Sequence, residues 1–228
     1  MEESKVGLYT QNMVISFLPS LKGTPLQSAA RMMSDSVPAT CLKCVNWPEV
    51  YDYCPEVSVR LAHDGERLYA CWHVRDEIVR AEHQHDLEQV CEDSCCELFV
   101  KQPDGPLYTN LEFNCLGVST ASRRRERKVD VTRFTPEEFA RISRYSSLSE
   151  TLPPHSAALL PQSYTLCISL PWDLVGADSR CLPDNLWLNV YKCGDKTLNP
   201  HFVSLFPITV DKPDFHRPDY FQSVPVEK

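Results

Sequence analysis

Apolar and polar residues alternate with a period of two in several short stretches of the chain, a pattern typical of half-buried β-strands. Residues 57–62 form one such stretch, and Leu68 to Val74 form another. The intervening Asp64-Gly65 pair favours a tight turn, because glycine tolerates positive φ at little steric cost. The two stretches therefore predict a β-hairpin.

The same alternation recurs further along the chain. Residues 95–100 and 111–115 flank the turn-forming Pro103-Asp104-Gly105 and predict a second hairpin. Additional strands are predicted at 164–170, 186–190, 201–206 and 223–226. Pro136 favours a short helix over 136–141, because proline suits the first helical turn, and Pro171 begins a helical turn over 171–174.

Many short strands with few helices predict an all-β fold, namely an antiparallel β-sandwich of jelly-roll type with long loops and one or two short helices. Residues 143–161 are rich in Ser and Pro and are interpreted as a loop. This loop could mark a domain boundary. The strands on its two sides have the same character, which favours one domain spanning residues 1–228.

The composition narrows the range of partners. Among 228 residues, 43% are hydrophobic, and 23 Lys and Arg against 31 Asp and Glu give a net charge of −8. An acidic balance disfavours nucleic acid and anionic membranes as partners. The N-terminal stretch has no signal-peptide pattern and no apolar run suits a membrane span, so a cytoplasmic location without a membrane partner is expected, although a leader removed earlier stays possible.

The chain contains eleven cysteines, an odd number that does not suit a complete disulfide framework. Cys71, Cys96, Cys115 and Cys167 lie within predicted strands and are interpreted as reduced, buried residues. Cys41-Leu-Lys-Cys44 is a lone pair at metal-binding spacing, whereas a structural zinc site needs about four ligands. The sequence therefore identifies no particular set of metal ligands, and it predicts no catalytic residues.

Three sequence blocks occur together in an order that is similar to a known family. They are Leu68–Glu77; Cys91–Val100 followed by Tyr108–Gly117; and Asn189–Lys196 followed by Pro200–Phe202 and Pro213–Phe221. This order resembles the family 9 carbohydrate-binding modules, and most closely a stand-alone bacterial branch usually called family 9-like. The resemblance spans residues 45–226. It implies a non-catalytic β-sandwich that assists polysaccharide degradation by holding a sugar end in a shallow site between two Trp rings.

The resemblance also implies binding residues by position. Glu97 falls on a binding carboxylate, Glu112 and Asn114 fall on polar binding positions of the next strand, and Phe215 falls on one of the two stacking Trp positions. The expected ligand is a mono- or oligosaccharide, because rings stack on sugar C–H faces while carboxylates and amides bind hydroxyls.

The second Trp position of the family falls at Val90 or Cys91, and neither residue is aromatic. This departure means that the sandwich of two rings cannot form in the same way. His216 and Arg217 adjoin Phe215 and are predicted as additional ligand contacts.

The residues themselves leave two interpretations of the predicted site open. Glu97, Glu112 and Asn114 occupy the polar phase of two neighbouring strands, so antiparallel pairing would place them on one sheet face. Such a face suits polyols, but polar alternation is also what an ordinary solvated face shows. The two alternative functions are a structural or protein-interaction sandwich without a sugar site, and a glycoside-active enzyme that uses Glu97 and Glu112.

Three further features allow more than one interpretation. Asp76 falls in a turn where the resembling modules hold structural calcium, so a calcium ion is possible there. Trp72 alternates in phase with apolar residues and is predicted to be core instead of a sugar platform. The basic run from Arg123 to Lys128 is interpreted as solvated surface, with phosphate or sulfate binding as the alternative.

Overall fold

The computed structural model describes residues 13–153, 155–158 and 161–228. Its strands, in chain order, are β1 (Ile15–Phe17), β2 (Thr40–Cys41), β3 (Cys44–Val45), β4 (Glu56–His63), β5 (Arg67–Asp76), β6 (Val79–Ala81), β7 (Cys95–Lys101), β8 (Tyr108–Asn114), β9 (Ser119–Arg124), β10 (Thr132–Arg133), β11 (Ser143–Ser146), β12 (Ser156–Ala158), β13 (Gln162–Pro171), β14 (Asn185–Cys193), β15 (Phe202–Ser204) and β16 (Gln222–Pro225). Its α-helices are α1 (Leu26–Ser36) and α2 (Pro136–Ala140).

The strands form two large sheets and one small one. The first sheet has the order β1-β4-β5-β13-β11, with β2 also paired to β4. The second has the order β10-β9-β8-β7-β14-β15-β3, with β16 also paired to β14, and β6 pairs with β12. The predicted all-β fold and both hairpins are confirmed. One pair departs from the antiparallel prediction, because β1 runs parallel to β4.

The core lies between the two large sheets. Alternate residues of each strand point into it, including Val59 of β4, Trp72 of β5, Leu98 of β7 and Leu111 of β8. Trp72 has no exposed surface, which confirms its predicted core position. In the first hairpin Gly65 adopts a φ of 96°, the left-handed conformation that the Asp-Gly turn was predicted to need.

Helix α1 covers the outer face of the first sheet, and the strand pattern did not predict it. Ala29, Ala30 and Met33 pack against Cys71 and Cys167, which project from paired positions on β5 and β13. The helical signal is present in the sequence, since these three residues have the spacing of one helix face. The predicted short helix at Pro136 is confirmed as α2, where Thr135 accepts a hydrogen bond from the Glu138 backbone as an N-cap.

The prediction of a loop over residues 143–161 is wrong in two places. Strand β11 pairs with β13 at the edge of the first sheet, and β12 pairs with β6. Most residues of these two strands are partly or fully exposed, so their outward positions are polar or small. Edge strands that bury little surface lack the apolar alternation on which the prediction depended.

The cysteines within the strands are buried, as predicted. Cys71, Cys96, Cys115 and Cys167 each have no exposed surface, and all eleven cysteines are unpaired thiols in the structure. Among the described residues, no helix has the length and apolar character needed to cross a membrane.

Truncation of a core side chain provides a test of this packing. Leu111→Ala removes a fully buried side chain between the sheets and is expected to lower the free energy of unfolding by roughly 2–5 kcal/mol, because a cavity remains. Leu198→Ala is the matched control, since Leu198 is 73% exposed. Chemical denaturation measures both values, and equal losses for the two variants would contradict the described core.

Candidate functional site

The outer face of the second sheet carries the predicted acidic residues in one row. Register places Glu97 of β7 directly opposite Glu112 of β8, and Tyr191 of β14 directly opposite Glu97. Directly opposed residues of antiparallel strands project from the same face. The two carboxyl groups therefore share a face with the Tyr191 ring.

This face is covered and not open to solvent. The segment of residues 205–221, between β15 and β16, folds back across it. Phe215 from this segment stacks on Tyr191 with ring centroids 4.2 Å apart and planes inclined by 14°, and the Tyr191 hydroxyl donates a hydrogen bond to the Phe215 carbonyl at 3.2 Å. Phe221 and Ile208 complete an apolar cluster with Phe99 of β7. As a result, Glu97 and Glu112 are only 3% and 8% exposed.

A small cavity remains between the sheet face and the covering segment, with a volume of about 160 Å³. Its lining residues are Cys91, Glu97, Glu112, Arg127, Cys193, Asp195, Phe202, Pro213, Asp214, Phe215 and His216. The set includes Glu97, Glu112, Phe215 and His216, which the sequence predicted from three separate parts of the chain. Drug-sized sites are roughly 300–1,000 Å³, so this cavity suits one small ring at most.

Asn114 and Arg217, the other two predicted site residues, do not line the cavity. The Asn114 amide donates to Asp93 and to the His83 carbonyl, each at 3.0 Å, and its oxygen accepts two backbone N–H bonds. Arg217 forms a pair with Asp219, with Nη2 and Oδ2 2.6 Å apart. Asn114 therefore organises the loops at the end of the sheet, and Arg217 organises its own turn.

A relay of polar side chains along β8 and β9 holds Glu112 in place. Asn110 donates to Glu112 Oε1 at 2.7 Å, Ser122 donates to the Asn110 oxygen, and Arg124 donates to the Ser122 hydroxyl. Burial raises the pKa of Glu112 to about 7, although the Arg124 charge and the Asn110 hydrogen bond each act to lower it.

Glu97 and Asp195 are two further carboxyl residues that line the cavity with Glu112. Burial, with the neighbouring Glu112 charge, raises the pKa of Glu97 well above its ordinary value. Burial likewise raises the pKa of Asp195 to about 6. A protonated carboxyl donates one hydrogen bond and accepts others, as a sugar hydroxyl does, so the cavity wall offers both donors and acceptors.

His216 provides a neutral polar contact on the other side of the cavity. Its ring stacks on Phe99 with centroids 5.1 Å apart, and the Tyr108 hydroxyl lies 2.9 Å from its Nδ1. Burial, with the charges of Arg124 and Arg127, lowers the pKa of His216 to about 3. The imidazole is therefore neutral at physiological pH.

Sequence analysis missed Asp195 and Arg127 as lining residues. Asp195 follows the end of β14 through Gly194, where an added Cβ would lie 2.6 Å from the Thr197 methyl group. The signal that the sequence offered was the Gly-Asp pair itself, because such a pair directly after a buried strand marks a tight turn that carries a carboxylate. Arg127 belongs to the basic run interpreted as solvated surface, and its pairing with Asp214 at 3.8 Å brings it to the cavity mouth.

The two positions considered for the second family Trp have different surroundings. Cys91 lines the cavity, whereas Val90 is fully buried beneath it. Phe202 contributes a ring instead, edge-on to Phe215 with centroids 5.7 Å apart. Phe215 itself is only 8% exposed, because Tyr191 covers one of its faces.

Asp76, the position considered for calcium, lies away from this cavity. Its Oδ2 lies 3.3 Å from the Lys192 ammonium group, both side chains being fully buried, and its Oδ1 accepts a hydrogen bond from Tyr53 at 2.8 Å. Calcium prefers six or more oxygen ligands. A structural calcium ion at this turn stays a prediction.

A larger cavity of about 690 Å³ lies on the outer face of the first sheet. Ser58 of β4, His73 of β5 and Thr165 of β13 form one of its polar rows. Among the described residues that line it, the only phenol or phenyl ring belongs to Tyr164, which is 3% exposed. This cavity therefore lacks the clustered buried acids and the facing rings of the smaller one.

A model of the family described as carbohydrate-binding family 9 matches residues 27–226. A candidate carbohydrate-binding protein from Bacteroides uniformis ATCC 8492 superimposes with a TM-score of 0.82 at 29% identity, covering 95% of this chain and 97% of that one. No curated protein matches the chain.

Two further structures show the same fold at low identity. A family 9 carbohydrate-binding module from Caldicellulosiruptor kristjanssonii in complex with glucose has a TM-score of 0.55 at 11% identity, covering 94% of this chain and 95% of that one. The cellotriose complex of a module from the same organism has a TM-score of 0.51 at 10% identity, with 94% and 93% covered. Because the family model matches most of its length, the chain belongs to carbohydrate-binding family 9 and is a non-catalytic carbohydrate-binding domain.

Proposed function

We propose that the cavity between β7, β8 and the segment of residues 205–221 binds one sugar ring, either a monosaccharide or the end of an oligosaccharide. The observation that carries this proposal is the convergence of Glu97, Glu112 and Asp195 with Phe215 in one cavity of single-ring size. The glucose and cellotriose complexes of related modules support the ligand class.

Each wall of the cavity supplies a different part of sugar recognition. The three acids accept from or donate to hydroxyls, and Arg127 at the mouth adds a charged donor. The Phe215 and Phe202 rings supply apolar surface for sugar C–H groups. Because Tyr191 already stacks on Phe215, the sugar contacts this ring at its exposed edge and is not enclosed between two parallel rings.

The protonation of the acids favours binding over hydrolysis. A hydrolytic carboxyl pair needs one protonated acid and one ionised partner, whose pKa values are pushed apart by their surroundings. Here burial raises the pKa of both Glu97 and Glu112. The two acids therefore lack the opposite shifts of a catalytic pair.

Removing one acid tests the proposed site. Glu112→Gln keeps the side-chain shape and the Asn110 hydrogen bond but replaces the second carboxyl oxygen with an amide NH2, which cannot accept a hydrogen bond. It is expected to weaken glucose or cellotriose binding by roughly twofold to tenfold, because one hydrogen bond between neutral groups contributes roughly 0.5–1.5 kcal/mol. Titration calorimetry measures the affinity, and assay of the same mixtures for released reducing ends is expected to find none.

The matched control is Glu56→Gln, which changes the same residue type in the larger cavity on the other sheet. It is expected to bind sugar like the unaltered protein. Loss of binding in this variant alone would move the sugar site to the first sheet. Absence of heat from the unaltered protein with a broad sugar panel would instead favour a structural or protein-interaction domain.

The buried acids also predict how stability depends on pH. Between pH 4.5 and about 7 the unfolded chain releases the Glu112 proton before the folded chain does, so the free energy of unfolding falls as pH rises. The contribution lost is on the order of 3 kcal/mol. Chemical denaturation at pH 5 and at pH 8 measures the free energy of unfolding. Its decrease between the two pH values should be larger for the unaltered protein than for Glu112→Gln, in which residue 112 cannot ionise.

Exposed Glu49 provides the control for this measurement. Glu49→Gln is expected to follow the unaltered protein at both pH values. The lowered pKa of His216 affects the free energy of unfolding in the opposite direction. The stability that His216 contributes is lost as pH falls from 6.5 towards 3. Since His216 is present in every variant, the difference between variants isolates Glu112. Parallel pH profiles for Glu112→Gln and the unaltered protein would contradict burial of this acid.

A further inference from the structure

Two thiols and a carboxyl group lie together at the inner end of the sugar cavity. Sulfur atoms of Cys95 and Cys193 and a carboxyl oxygen of Glu97 all lie within 4.8 Å of one another, and all three residues are buried. Cys95 and Cys193 are directly opposed on β7 and β14. The Cys193 thiol donates to Glu97 Oε1 at 3.1 Å.

This cluster is open to the cavity on one side. Glu97 and Cys193 line the cavity, whereas Cys95 lies behind them. Cys91 and Asp195 also line the cavity and add two more potential donors beside the opening. A small solute that enters the cavity therefore meets Glu97 and Cys193 directly, with Cys95 behind them.

The donor set matches the preferences of a thiophilic divalent ion. Zinc takes thiolate sulfur at about 2.3 Å and carboxylate oxygen at about 2.0–2.2 Å in tetrahedral geometry, which puts sulfur ligands roughly 3.8 Å apart. Donor atoms already within 4.8 Å need to move by about 1 Å or less to reach that arrangement. Sites with three protein ligands keep a fourth position for water or another ligand, and here that position faces the cavity.

The surroundings also offset the charge of such a site. Two thiolates and one carboxylate on a divalent ion carry a net charge of 2 − 3 = −1. The buried Lys192 ammonium group acts electrostatically on both Cys95 and Glu97 from the strand that carries Cys193. Arg127 adds a second positive charge at the cavity mouth. Buried charge is tolerated where it has such partners.

We propose that Cys95, Cys193 and Glu97 form a binding site for a thiophilic divalent cation, with zinc as the best-matched ion, whose open coordination position faces the sugar cavity. The inference shares Glu97 and Cys193 with the lining of the proposed sugar site, and its test requires no sugar. Binding converts both thiols and the carboxyl group to their ionised forms and releases up to three protons to solvent, so affinity falls as pH falls.

Cobalt(II) added to the metal-free, reduced full-length protein is the probe. The expected result is a near-ultraviolet charge-transfer band from thiolate to cobalt that zinc displaces. Cys95→Ala and Cys193→Ala should each weaken cobalt binding at least tenfold. Glu97→Gln, which keeps both thiols, should weaken binding while retaining the band at high cobalt concentration.

The matched control is a Cys41→Ala/Cys44→Ala double variant, because these residues form the chain's C-x-x-C pair and lie outside the cluster. It should keep the band and the affinity. The proposal is overturned if the unaltered protein shows no band at saturating cobalt, if both single cysteine variants keep the affinity, or if the double variant loses it.

Circular dichroism establishes whether each variant folds. If the single cysteine variants do not fold, the unaltered protein decides the question: zinc should raise its melting temperature and release more than one proton per ion bound, and the Cys41/Cys44 variant should show both effects. Absence of either effect overturns the proposal. Glucose titration of metal-free protein is independent of these measurements, so failure of the metal site and failure of the sugar site are distinguishable.

Discussion

The stack of Phe215 on Tyr191 holds the segment of residues 205–221 against the outer face of the second sheet. The contact joins a ring near the carboxyl end of the chain to a ring in the middle of β14, and the Tyr191 hydroxyl binds the backbone beside it. Without this cover, Glu97 and Glu112 would lie on an ordinary solvated face. With it, they become the wall of a cavity from which most water is excluded.

Burial of this face changes the chemistry of every group on it. The pKa values of Glu97, Glu112 and Asp195 are raised and that of His216 is lowered, and in each case desolvation of the charged form is the leading cause. Desolvation therefore shifts each of these groups towards its uncharged form. Neutral donors and acceptors suit an uncharged polyhydroxy ligand, because neither partner must give up the hydration of a full charge.

Both outer faces of the sandwich carry covering segments, and the two segments differ in structure. Helix α1 covers part of the first sheet, and the segment of residues 205–221 covers the second. This explains why β7 and β8 are almost entirely buried even though their sequences alternate between apolar and polar residues. The polar residues of the two strands form hydrogen bonds within a covered layer and do not contact bulk water.

Much of the sandwich and part of the site could be predicted from the sequence. Strict alternation identified the hairpins β4–β5 and β7–β8, because period-two patterning is a local property of strands with one side in the core. The resemblance to the family brought Glu97, Glu112 and Phe215 together, and adjacency to Phe215 added His216. The structure places all four around one cavity. Asn114 shared their phase, but its position at the end of β8 commits its amide to the neighbouring loops.

The sequence alone determined which residues alternate along each strand, since that follows from local backbone geometry and side-chain type. Only the tertiary structure decided which faces are covered, that Arg127 and Asp195 reach the cavity, and that two cysteines from separate strands meet Glu97. These features depend on contacts between residues far apart in the chain. Such contacts form where the whole fold buries apolar surface, and no local pattern records them.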